Sequence, residues 1–189
     1  MKSRRLKIVA AGLAVLAAGW FGALVAADRG PSMGQEAKDF ELETLSSEKV
    51  KLSKQAEKGP VVVMVLRGYP GYQCPLCTKQ VGEFLGKADE FKKLNATVLM
   101  IYPGPAAELK KYAKDFIVTK KFPEHFILAV DPDYAFTNAY GLRWEAKNET
   151  AYPATFVVGT DRKIAFAKVS SGHGDRAKAD DVLKAIPTK

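Results

Sequence analysis

Cysteine and histidine are scarce: the 189 residues hold two of each. That excludes a disulfide-framed scaffold. It also leaves structural zinc without a donor set, because zinc takes four ligands and His125 and His173 stand far apart in the chain. Internal repeats and low-complexity tracts are lacking too. Once the N-terminal segment is set aside, roughly 160 residues remain, enough for one domain with a full hydrophobic core and too few for two.

Acidic side chains are missing from the first 27 residues, which carry Lys2, Arg4, Arg5 and Lys7, then run uncharged from Ile8 to Ala27 and close on Val25-Ala26-Ala27. Residues 1–27 are expected to be a secretory signal or, if retained, a membrane anchor, since about 20 apolar residues can span a bilayer. Eight alanines and three glycines make the run weakly hydrophobic, which favours cleavage. The expected location is exported, periplasmic or extracytoplasmic, with anchoring by residues 8–27 as the alternative. Without this segment the net charge falls from +8 to +4. The remaining lysines are interspersed with acids such as Glu108 and Asp115, so they form a solvated face and no nucleic-acid partner is expected.

Residues 28–38 contain Gly, Pro and little apolar material and are expected to be a linker, with the domain occupying 39–189. Phe40-Glu41-Leu42 and Val50-Lys51-Leu52 alternate around a Ser46-Ser47 turn and predict a hairpin. Val61 to Leu66 is continuously aliphatic, the pattern of a central strand covered on both faces. Cys77, Val81, Phe84, Leu85, Ala88, Phe91 and Leu94 recur at helical spacing and predict one helix over 75–94. Strands are then expected at 96–102, 126–130, 155–158 and 164–169, and helices at 106–118, 134–140 and 176–186. The order is that of an α/β fold with a central mixed sheet flanked by helices and an N-terminal hairpin.

The cysteines lie three apart, as Cys74-Pro75-Leu76-Cys77. A stabilising disulfide gains most from closing a long loop, so this spacing favours redox or metal chemistry over a staple. At a helix N-terminus, free backbone N–H groups and the helix dipole favour a thiolate. Cys74 is expected at the cap as the exposed nucleophile, Pro75 at the first helical position, where its missing N–H costs nothing, and Cys77 one turn deeper as the resolving thiol.

The stretch from Val63 to Cys77 resembles the strand, loop and active helix of the thioredoxin superfamily, and most closely the peroxiredoxin-like branch of the alkyl hydroperoxide reductase and thiol-specific antioxidant (AhpC/TSA) family. Asp131-Pro132-Asp133, Ala139-Tyr140-Gly141 and Tyr152-Pro153-Ala154-Thr155-Phe156 carry the resemblance to about Val169. It implies a thioredoxin-like fold in which Pro153 is cis and faces the cysteine pair, with Tyr152, Pro153 and Arg67 contacting substrate.

Peroxiredoxins resemble one another in a Pro-x-x-x-Thr-x-x-Cys pattern and a distant Arg. With Cys77 in the cysteine position, Pro70 fits but Cys74 stands where the Thr should be. With Cys74 there, Arg67 and Gly71 occupy the two earlier slots; in both registers the distant Arg, three residues before Phe156, falls on Pro153. Neither register supplies the hydroxyl. The pattern therefore favours an exported thiol-disulfide oxidoreductase without a bound cofactor, drawing electrons from a thiol or disulfide protein partner. A thiol peroxidase acting on peroxide is the alternative. A copper-binding chaperone using His173 is the second, although its usual cysteine spacing is one residue longer. Tyr69, Tyr72 and Trp144 could line a groove, and Asp39 or Glu83 could take a proton from the resolving thiol.

Overall fold

The computed structural model describes residues 29–188. The segment read as a signal or anchor, 1–27, lies outside them. A hairpin, β1 (Glu41–Thr44) and β2 (Lys49–Lys51), leads through a short helix α1 (Leu52–Ala56) into β3 (Val61–Val65). Two helices follow, α2 (Pro75–Leu85) and α3 (Ala88–Lys93), then β4 (Thr97–Gly104), α4 (Leu109–Ile117), β5 (Phe126–Pro132) and α5 (Ala135–Ala139). The chain closes with β6 (Ala154–Val158), β7 (Ile164–Val169) and α6 (Ala179–Ala185).

The strands form one mixed sheet in the order β2-β1-β5-β4-β3-β6-β7. β3, β4 and β5 are parallel and the outer pairings are antiparallel. The central strands alternate strictly between two cores, as a period of two requires. Val62, Met64, Val98, Met100 and Tyr102 pack under α2, α3, α4 and α6. Val61, Val63, Val65, Leu99 and Ile101 pack on the opposite side, with α1 and α5. Both faces are covered, so the run at 61–66 has no polar break.

The helix expected over 75–94 is two. Gly86 and Lys87 end α2 with bonds from Gly86 N–H to the Gly82 carbonyl and from Lys87 N–H to the Phe84 carbonyl. Lys87 leaves helical geometry at φ −113° and ψ 17°. The helical spacing persists across the break because Phe84 and Phe91 still enter the same core, stacked at 5.5 Å. The stretch expected as a linker is also different: Ala37 is buried. Gly34 N–H and Ala37 N–H donate to the Ile164 and Arg162 carbonyls, and Ile164 N–H donates to the Gln35 carbonyl. Residues 34–37 are thus laid along the start of β7, and the polar composition marks an edge pairing.

Candidate active site

The central strand delivers the chain to the site. After β3, Leu66 N–H still donates to the Ile101 carbonyl and Tyr69 N–H to the Pro103 carbonyl, at 2.9 and 3.1 Å. Between them Gly68 takes φ +72°, and a Cβ there would lie 1.8 Å from the Pro103 carbonyl oxygen. Only glycine fits this turn. Farther along, Gln73 bridges inward, donating to the Tyr112 carbonyl and accepting from the Tyr102 hydroxyl, each at 2.8 Å. Cys74 then caps α2 in extended geometry, with Pro75 at the first position of the helix.

The cap bond is made by sulfur: Cys77 N–H donates to Cys74 Sγ at 3.3 Å. Arg176, from the segment between β7 and α6, points Nη2 at the same sulfur from 3.7 Å. These groups set the thiol. The hydrogen bond from the Cys77 side chain, then the Cys77 N–H and the charges of Arg176 and Arg67, outweigh the cost of burial and bring Cys74 down to a pKa of about 5. Cys77 goes the other way: burial first, and the thiol of Cys74 second, hold it well above its ordinary value.

The expectation of an exposed nucleophile is corrected, since Cys74 is only 3 % exposed and Cys77 1 %. Both sulfurs belong to the helix-side core, alongside Val81 and Phe84. The Pro153 expectation is corrected as well: the described residues contain no cis peptide bond, so Pro153 is trans. It is buried, and its carbonyl accepts from Ser170 N–H at 2.8 Å, tying the start of β6 to the end of β7.

Arg67 is buried and fully engaged on one side. Nε and Nη2 grip the two oxygens of Glu149 at 2.6 and 3.0 Å. Nη2 also donates to the Asn148 carbonyl at 2.5 Å, and Nη1 to the Tyr72 hydroxyl at 2.6 Å. This is the bidentate fork that a guanidinium makes best. Burial opposes both charges of the pair, yet the mutual bonds win, so Glu149 is held below the ordinary carboxylate value and Arg67 above its own.

The same Glu149 accepts from His173 Nε2 at 2.9 Å. That turns the histidine proposed for copper toward a carboxylate, and among the described residues no three His, Cys, Asp or Glu side chains converge on a metal position. Trp144 lies 5.0 Å from the His173 ring and stacks on Tyr152 at 4.5 Å, with Arg29 on Tyr152's ring at 4.2 Å. Tyr152 is therefore one layer of a stack. Tyr69 stacks on Tyr112 at 3.6 Å beside a groove of about 440 Å³ that also reaches Tyr134 and Glu149. The two carboxylates held open as proton acceptors are caps: Asp39 accepts from Ser53 N–H at 2.9 Å in α1, and Glu83 from Ala179 N–H at 2.7 Å at the start of α6.

Of the residues singled out from the sequence, Cys74 and Cys77 lie together at this helix start, and Arg67 is spent on Glu149, Asn148 and Tyr72 rather than presented to a substrate; Arg176 and Glu149 are the members that no motif marks. Arg176 is 102 residues from the sulfur it faces. No local pattern marks such a contact. The site thus combines an ionisable cap thiol, a second thiol one turn away and two guanidinium groups, which suits nucleophilic thiol chemistry with charge stabilisation.

Known proteins resemble this chain over most of its length. A Mycobacterium tuberculosis protein provisionally named a peroxiredoxin is 28% identical over 155 residues, 81% of this chain and 94% of the relative. Peroxiredoxin Bcp of Bacillus subtilis is 29% identical over 115 residues, 61% of this chain and 66% of its own. The crystal structure of peroxidoxin BcpB from Mycobacterium tuberculosis superposes with a TM-score of 0.64 at 27% identity, covering 81% of this chain and 94% of that one. The AhpC/TSA family model matches residues 33–167, well over half of the chain. With a thioredoxin-type sheet, a paired-thiol site and that match, the chain belongs to the AhpC/TSA family and is a thiol-dependent oxidoreductase.

Proposed function

We propose that the protein is a peroxiredoxin-type thiol peroxidase in which Cys74 takes oxygen from a hydroperoxide and Cys77 closes the disulfide. The observation that carries this is the Cys74 sulfur, which accepts from the Cys77 N–H and has Arg176 at 3.7 Å, yet is only 3 % exposed. A hydroperoxide presents two small oxygens to such a site, whereas a protein disulfide must bring a whole strand to the sulfur. The threonine hydroxyl that the family pattern expects is lacking, and the Arg176 guanidinium, 3.7 Å from the sulfur, supplies charge in its stead. The names of the relatives favour the same substrate.

The Cys74 thiolate attacks the terminal oxygen of ROOH, so the S–O bond forms as the O–O bond breaks. The departing oxygen keeps the electron pair and takes a proton as ROH, leaving a sulfenic acid. Cys77 then attacks the Cys74 sulfur, the S–S bond forms and the sulfenic oxygen leaves as water. An external thiol reductant restores both thiols by exchange. Disulfide exchange, favoured by the sequence pattern, is the second reading, supported by two cysteines within one helical turn. Export or anchoring through residues 1–27 is proposed from their charge and apolar run alone.

Cys77→Ser treated with one equivalent of hydrogen peroxide and a sulfenic-acid trap should carry the adduct on Cys74, read by peptide mass spectrometry. An adduct on Cys77 in Cys74→Ser, with Cys74 unmodified in the converse variant, would reverse the two roles.

A further inference from the structure

Arg176 reaches Cys74 from a segment anchored at its ends by buried Ser170 and Ala177 but little packed between them. Residues 170–178 have no regular structure, Ser171, Gly174 and Asp175 are exposed, and a Cβ at Gly172 or Gly174 would meet nothing within 4 Å. Yet the residue between those glycines is tied at both ends. The ring Nε2 of His173 donates to Glu149 at 2.9 Å, and its backbone carbonyl accepts from Arg176 Nε at 2.8 Å. Glu149 is itself immobilised by the Arg67 fork. Arg176 Nη1 donates to the Gln80 side chain at 2.9 Å, leaving Nη2 on the sulfur. A continuous path therefore runs from half-buried Glu149 through His173 to Arg176 and Cys74.

We propose that His173 is a positioning residue, whose attachment to Glu149 fixes the loop so that the Arg176 guanidinium lies against the Cys74 sulfur. This rests on the reading of Cys74 as the attacking thiol. His173 touches neither sulfur in this role and acts only by where it holds Arg176. Other charged groups around the segment are Arg67, behind Glu149, and the Lys168–Asp175 pair at 2.8 Å, which braces the same loop from β7.

The test measures the second-order rate with hydrogen peroxide and the ultraviolet thiolate titration for the full chain and four variants: His173→Ala, His173→Gln, Arg176→Ala and the double alanine. Arg176→Ala should slow the reaction about tenfold, the scale of one charge-assisted hydrogen bond, and move the titration midpoint upward. His173→Ala should give about three- to tenfold and the same direction of shift, without adding to Arg176→Ala in the double variant. His173→Gln, whose amide can donate to Glu149, should restore both readouts. Unchanged rate and titration in His173→Ala, or a full further loss in the double variant, would overturn the proposal. So would failure of the glutamine variant, at an unchanged melting temperature, to restore either readout. The reading beneath it falls separately: it is overturned if the low-midpoint thiolate persists in Cys74→Ser.

Discussion

Cys74 and Cys77 share a helical turn but not an environment, and the difference decides their chemistry. Cys74 faces the cap N–H and Arg176, while Cys77 is enclosed by core. A thiol that ionises at about 5 rather than its ordinary 9.0 binds fewer protons folded than unfolded between those values. The reduced protein should therefore gain stability as pH rises from about 5 toward 9 and lose it as pH falls through 5. The raised Cys77 acts in the opposite sense, and only above its ordinary value. Urea denaturation of the reduced protein against Cys74→Ser checks this: the difference should grow with pH across that window. Alkylation of Cys74 should be level above about pH 6 and fall tenfold per unit well below 5. A rate still rising at pH 8 would mean an ordinary thiol. The cysteines were legible because spacing and Pro75 place them at a helix start. Glu149 was not, since nothing local sets it apart from neighbouring Glu145, and only the fold brings Arg67 to it across 82 residues.

Elements with strong periodicity or an unbroken apolar run were the readable ones: the hairpin, β3 and the strand pair at the C-terminus fall where their patterns put them. Reading failed where one pattern fits two structures. The spacing through Val81, Phe84, Phe91 and Leu94 is met equally by one helix or by two that share a core, and the choice is made by helix-end hydrogen bonds at Gly86 and Lys87. Pro153 likewise fits a strand start in either isomer. At the scale of the β3-to-α2 connection, Gly68→Ala should be costly, because a Cβ would overlap the Pro103 carbonyl and its backbone lies at positive φ. A loss of about 2–4 kcal/mol is expected in denaturant unfolding, together with slower peroxide reaction as Arg67 and the cap shift. Stability within about 0.5 kcal/mol of the parent would show that the turn relaxes freely.

Across the whole molecule, the sheet separates two cores and ends its three parallel strands on the same side as the cysteines, the place where open α/β sheets bind ligands. The N-terminal stretch contributes to this frame by pairing with β7, the strand that leads into the Arg176 segment. A chain beginning at residue 39 should melt about 3–8 °C below one beginning at 29, from the lost Ala37 burial and backbone bonds. Equal melting temperatures would make the stretch a tether after all. Whether the assembled site serves peroxide or protein disulfides is best decided by stopped-flow kinetics of the reduced protein against hydrogen peroxide and against a disulfide-bonded protein. The account predicts that peroxide reacts the faster by at least about a hundredfold, a gap of some 2.7 kcal/mol in barrier, and that the reaction is lost in Cys74→Ser. Slow peroxide reaction with rapid disulfide reduction would contradict it and establish an exchanger.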